Sequence, residues 1–232
     1  MALANPIPPD NVEVVTDNDW AFKFTPSYYS TSNQPGATDI NLRANNGPHA
    51  VWLGYYQQSN VFEQARTGYE FTGTTPLGTI VPSLQFATHG FVGGSINFQS
   101  DGDVFGILGF GRTNGAQYYN LNFDPNDAIT FGLGTRLMPK TTLSFFTVKD
   151  DRLGTGQTVT HMVWRYLADD RQRWIVDLST KHGSPSAGEE SVSGGSLSVT
   201  FDYQSIFVRV ARDLKVNFTE DNQNRMALGI RF

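Results

Sequence analysis

From Asp19 to the end of the chain, apolar and polar residues alternate with a period of two, in segments broken by turn-forming residues. Trp20, Phe22, Phe24 and Tyr28 share one parity, with Lys23, Thr25 and Ser27 on the other. Tyr69 and Phe71 oppose Arg66, Gly68 and Glu70; Val92, Ile96 and Phe98 oppose Gly93, Ser95, Asn97 and Gln99. In the second half, Met162, Trp164 and Tyr166 oppose His161 and Arg165, and Trp174, Val176 and Leu178 oppose Asp177, Ser179 and Lys181. Strand side chains alternate between two faces, so each segment reads as a strand with one apolar and one polar face. Apolar stripes of period 3.6 are almost absent, and the chain is all-β. Pro26, inside the first strand, suggests a bulge or edge-like irregularity.

The connections fall into two classes. Gln58 to Asn60, Asp101 to Asp103, Met138 to Lys140, Asp169 to Gln172 and Gln204-Ser205 read as short turns. Between them lie longer or more polar connections: Thr31 to Thr38, Thr74 to Gly78, either Asn114 to Gln117 or Asp124 to Asp127, Asp150 to Gly156, Gly183 to Gly195, and Thr219 to Asn222. Strict alternation of the two classes predicts twelve strands in up-and-down order, with short turns at one end and longer loops at the other. That pattern is the signature of a single transmembrane antiparallel β-barrel, whose closure pairs every backbone group internally. Residues 1–18 hold three prolines and little periodicity, and are expected to form a periplasmic tail able to enter the lumen; residues 19–232 form the barrel.

Composition agrees. Only 17% of residues are charged, below the usual quarter, while mean hydropathy is a soluble-looking −0.32. No run approaches a membrane-spanning helix. Without cysteine there is no disulfide framework or thiolate chemistry. A net charge of −5 without a Lys/Arg cluster argues against nucleic-acid binding.

The final residues, Arg225-Met226-Ala227-Leu228-Gly229-Ile230-Arg231-Phe232, place Met226, Leu228, Ile230 and Phe232 on one parity and end on an aromatic. They resemble the C-terminal strand signal of Gram-negative outer-membrane β-barrel proteins. The resemblance implies recognition by the barrel assembly machinery, an outer-membrane location reached with a signal peptide absent from this sequence, contact with outer-membrane lipid and lipopolysaccharide, and a C terminus at the periplasmic rim. The short turns are then periplasmic. Trp20, Trp164, Tyr166 and Trp174 suit the periplasmic aromatic girdle, with Tyr28, Tyr118 and Tyr119 the outer one. A monomer is expected.

With apolar faces toward lipid, the opposite parity lines the lumen: Lys23, Arg66, Glu70, Arg136, His161, Arg165, Asp177, Lys181, Asp202, Arg209, Asp213, Lys215, Arg225 and Arg231. Basic residues dominate this set although the whole chain is acidic, which implies a channel for passive diffusion of small polar, anionic solutes. The opposed reading is a lumen closed by Arg–carboxylate pairs. Arg212 falls on the lipid-facing parity and implies either a bulge or a snorkelling side chain. The glycine-rich strand Val104 to Arg112 implies close approach of a loop, the tail or an apolar ligand to its inner face.

A different class of function is a lipid-modifying hydrolase. His182, two residues from Ser184 and near Glu189, resembles the His-x-Ser arrangement of lipid A deacylases, although such spacing also suits an ordinary loop. A structural or adhesive barrel is a third reading. No metal or cofactor is expected, since no His pair has ligand spacing and no phosphate-binding motif is present.

Overall fold

The computed structural model describes residues 20–119, 121 and 124–232. The expected tail over residues 1–18 lies outside them. The strands are β1 (Ala21–Thr31), β2 (Ala37–Asn46), β3 (His49–Gln58), β4 (Phe62–Phe71), β5 (Gly73–Thr75), β6 (Gly78–Ala87), β7 (Phe91–Ser100), β8 (Val104–Thr113), β9 (Ala128–Thr135), β10 (Thr141–Asp150), β11 (Thr158–Asp169), β12 (Gln172–Gly183), β13 (Val192–Tyr203), β14 (Ile206–Asp213) and β15 (Gln223–Arg231). They form one antiparallel sheet that closes on itself by pairing β1 with β15 and β4 with β6. At the seam the Phe22 N–H donates to the Phe232 carbonyl at 2.7 Å, the Phe232 N–H donates to the Phe22 carbonyl at 3.0 Å, and the two rings stack at 5.7 Å.

The ring therefore has fourteen strands, with the three-residue β5 hydrogen-bonded to the start of β6 outside it. The expectation of twelve is corrected by two hairpins. Gly47-Pro48 joins β2 to β3, and Thr88-His89-Gly90 joins β6 to β7. Gly47, His89 and Gly90 adopt positive φ there, the conformation tight hairpins require. Both turns sit where alternation hides them. The first lies in a polar run, Asn45 to His49. The second has three residues, so the outward parity of Leu84 and Phe86 continues unchanged into Val92 and Ile96. Adding two strands also exchanges the ends of two connections. Residues 59–61 join the loops opposite the C terminus, and residues 72–77 lie at the C-terminal end.

Outward positions are apolar and exposed, among them Leu53, Leu84, Leu108, Phe131, Phe145 and Leu228. Inward positions carry the polar residues. Pro26 causes no bulge: it pairs in register with Ile40, and only the ladder to β15 is interrupted beside it. Arg212 also keeps its register with Leu197, points outward, and donates to Asn224 Oδ1 at 2.9 Å near the loop end. Fourteen strands about 4.8 Å apart and tilted about 40° enclose a backbone cylinder of radius ~14 Å. Wall side chains alone cannot fill that bore, so what else enters it decides the site.

Candidate functional site

In the longest connection, residues 114–127 between β8 and β9, the described residues Gln117, Tyr118, Tyr119, Leu121 and Asp124 contact the inner wall. In the ring, β8 and β9 lie diametrically opposite β15 and β1. The connection reaches that far wall, where Arg225 donates to the Leu121 carbonyl at 2.8 Å and Gln223 to the Tyr119 hydroxyl at 3.3 Å. On the side wall Gln64 donates to the Gln117 carbonyl at 3.0 Å and accepts from the Tyr119 amide at 3.1 Å. Tyr119 stacks on Tyr56 at 4.0 Å, and Tyr118 on Phe91 at 4.2 Å. Tyr119 and Leu121 also pack against Tyr29, Ala37 and Tyr56. On the other side, His161 Nε2 lies 3.0 Å from Asp124, while its Nδ1 lies 3.0 Å from Asp177. Tyr118 and Tyr119 thus brace the interior and do not belong to an outer girdle. The connection expected over Gly183 to Gly195 is shorter, because β13 begins at Val192.

Glycines shape the remaining wall. Trp52 pairs across strands with Gly68, Phe105 with Gly134, Phe146 with Gly132 and Phe207 with Gly229. A Cβ at Gly229 would lie 1.8 Å from the Phe207 ring, and one at Gly134 2.2 Å from the Phe105 ring. At Gly68, Gly134 and Gly229 the missing side chain lets the ring lie along the wall instead of across the bore, and at Gly132 it admits the backbone of Phe145 and Phe146. On the inner face of the glycine-rich β8, the neighbours are wall side chains: Phe105 and Ile107 pack with Ala128, Phe146, Val148 and Val163 into a buried apolar cluster.

Burial divides the interior into two sectors. On β3, β4, β7, β10 and β11 most inward residues are buried, from Trp52 and Tyr56 through Arg66, Ser95, Val148 and His161 to Arg165. On β12 to β15, β1 and β2 many inward residues retain solvent contact: Arg173, Asp177, Ser196, Ser198, Arg209, Arg225, Arg231, Lys23, Ser27 and Arg43. Arg209 is an exposed residue although it points into the barrel. Solvent thus reaches one sector of the lumen, and the other is packed.

In the accessible sector the ion pairs present their cations. Side-chain exposure is 29% for Arg43 against 9% for its partner Glu70, and 17% for Arg225 against 2% for Asp213. Asp202, at 7%, is shared by Arg173 at 27% and Arg231 at 34%. Arg173 approaches it at 2.6 Å and Arg231 at 2.8 Å. The carboxylates lie beneath the guanidinium groups, so the surface facing solvent is positive. Asp177, 33% exposed, is the counterexample. In the packed sector, Arg66 and Asp39 form an ion pair with both side chains buried.

Of the residues expected in the lumen, Lys23, Arg66, Glu70, His161, Arg165, Asp177, Lys181, Asp202, Arg209, Asp213, Arg225 and Arg231 occupy inward positions. Arg136 sits beyond the end of β9 with its guanidinium 4.2 Å from the Phe105 ring centre and donates to the Gly102 carbonyl. Lys215 lies in the connection after β14, bonded to Glu220, and not on the wall. Sequence reading passed over Arg43 and Arg173, which share the inward parity of their strands, and over Asp39, Tyr56 and Gln64. His182 points outward and bonds the Ser193 hydroxyl at 3.0 Å. Ser184 donates to the backbone carbonyl of Glu189 at 2.8 Å and meets Ser191 at 2.9 Å. The contacts of His182, Ser184 and Glu189 therefore do not make a base–nucleophile–carboxylate relay.

No family model matches the chain, and no curated protein matches it. Among solved structures it is similar to the outer membrane protein Omp33 of Acinetobacter baumannii, at 10% identity and a TM-score of 0.55, over 93% of this chain and 99% of that one. It is also similar to the NanC porin, at 6% identity and a TM-score of 0.50, over 90% and 98% of the two chains. The chain has the fold of outer-membrane β-barrel proteins.

Proposed function

We propose that this protein is an outer-membrane channel for passive diffusion of small polar solutes, with a preference for anions. The fold is shared with an outer membrane protein and with a porin, and the C-terminal strand carries the alternation expected of an assembly signal. The observation that carries the anion preference is the burial order within the ion pairs of the accessible sector, where cations face solvent and carboxylates are covered. Charged walls in a confined, partly low-dielectric path raise the local concentration of the opposite charge. The inserted connection confines solutes to a narrow route beside β12 to β15, β1 and β2. The C-terminal end is periplasmic in this reading.

Planar-bilayer recording tests it. In a KCl gradient the protein gives small, steady channels with a reversal potential on the chloride side. Absence of channels, or a potassium-side reversal potential at neutral pH, would overturn the proposal.

A further inference from the structure

We propose, resting on the channel reading, that the accessible wall contains a binding site for short polar solutes bearing two or more carboxylates, built by Lys23, Arg209 and Arg231 around Phe207.

Phe207 is buried against Gly229 on the inward face of β14. The Lys23 ammonium lies 4.5 Å from its ring centre and the Arg231 guanidinium 5.1 Å. Lys23 is directly cross-strand from Arg231 on one side and from Arg43 on the other. The charges that act on it are those of Arg209, Arg231, Asp202 and Arg43. Asp202 is already shared by Arg173 and Arg231, and Glu70 is taken by Arg43. Among the described residues neither Lys23 nor Arg209 has a carboxylate at ion-pair distance. Arg209 uses Nε to donate to Thr200 Oγ1 at 2.9 Å, and its side chain is solvent-exposed.

Like charges placed directly across strands repel. Lys23, Arg43, Arg173, Arg209 and Arg231 face three carboxylates, Asp202, Glu70 and, toward Arg209, Asp177, and leave a net positive site that an anion stabilises. A single carboxylate would match only part of it. Arg209 and Arg225 stand one inward rung apart on neighbouring strands, because Arg209 pairs with Ala227 and Arg225 with Ala211. A rung is about 7 Å along the barrel wall. Two carboxylates separated by a few bonds can therefore bridge cations that one cannot. Beside them the wall offers the hydroxyls of Ser27 and Ser198, which keep solvent contact, and these favour a polar linker over an alkyl one.

The test uses the full chain. In planar bilayers, citrate and acetate are added to KCl at constant ionic strength, and citrate binding in detergent is followed by calorimetry. Citrate is expected to block the chloride current at concentrations at least tenfold below acetate. Lys23→Gln and Arg209→Gln are each expected to raise the citrate half-blocking concentration about tenfold, the loss of one charge-assisted hydrogen bond. Arg209→Lys, which keeps the charge, is expected to restore most of the block. Equal block by citrate and acetate, or citrate block unchanged in both Gln variants, overturns the site while leaving the channel standing. A protein without channel current refutes the channel reading, and calorimetry then decides the site alone: no citrate binding overturns it.

Discussion

Asp202→Asn separates the two roles assigned to the lumen carboxylates. Asp202 holds Arg173 through contacts of 2.6 and 2.7 Å and Arg231 at 2.8 Å, and it is almost covered by them. The Asn side chain keeps the volume and removes the charge. Breaking a fully buried pair costs about 3–5 kcal/mol because the remaining charge is stranded. Here both arginine side chains have a quarter to a third of their surface in solvent and can rehydrate, so the expected loss is about 1–2 kcal/mol, nearer the range of exposed pairs. The effect on permeation has the opposite sign. Removing one negative charge at ~10 Å from a passing ion, in a water-like dielectric, favours an anion by about 0.4 kcal/mol, or twofold. The two readouts are the urea midpoint for unfolding from lipid vesicles, which should fall, and the reversal potential in 0.1 M against 0.01 M KCl, which should move further toward chloride. The shift should fade in 1 M KCl, where the screening length is about 3 Å. A selectivity that stays fixed or moves toward potassium, with the variant folded, would refute the reasoning that the covered carboxylates tune a positive wall.

Three other perturbations probe the build of the pore. Gly229→Ala puts a Cβ 1.8 Å from the Phe207 ring as it now lies; the ring must swing off the wall into the accessible sector, and single-channel conductance should fall by about half or more, since contacts under 3.0 Å are not sustained. Deleting residues 117–124 removes the Tyr119 stack on Tyr56, the Tyr118 stack on Phe91 and the Asp124 contact with His161; conductance should rise several-fold as the bore of ~14 Å backbone radius opens, and unchanged conductance would exclude the connection as the constriction. Phe145→Arg, at the middle of β10 on the outer face with the residue 59% exposed, should cost about 2–4 kcal/mol in folding from urea into vesicles.

Which face of each strand meets lipid was legible because the two solvents of a barrel impose opposite chemistry on alternate residues. Lys23, Asp202, Arg209 and Arg225 could be placed inward on that basis alone. Strand number was less legible, since alternation reports a turn only when parity breaks or turn residues interrupt it. Thr88-His89-Gly90 preserves parity. Asn46-Gly47 was a readable hairpin signal that the surrounding polar run obscured. The path of residues 114–127 was not legible, because its partners, Tyr56, Gln64, Phe91, His161 and Arg225, are 27 to 104 residues away in the chain. Two adjacent tyrosines in a polar connection fit an interfacial girdle as well as a buried brace, and only the folded wall distinguishes them. Arg43 and Arg173 were within reach of parity reasoning, given correct boundaries for β2 and β12.

The division of the lumen into a packed and a wet sector follows from where the inserted connection begins and what it meets. A closed ring of fourteen strands is wider than wall side chains can fill, whereas an eight-stranded ring is filled by them. Outward apolar residues gain little from folding within the bilayer, because lipid surrounds them either way. Apolar residues on the inner wall would face water unless something covers them. Tyr29, Ala37 and Tyr56 are covered by Tyr119 and Leu121, and burying a large side chain contributes about 1.5–3 kcal/mol. Hydrogen bonds from Gln64, Gln223 and Arg225 tie the same segment down on two sides of the ring. The described residues of this segment, held by stacked rings and by hydrogen bonds to two sides of the ring, partition the lumen. In the proposed channel, permeation is governed by the wall this segment leaves uncovered, which begins at Arg225, bonded to Leu121, and descends through Arg209 to Lys23 and Arg231.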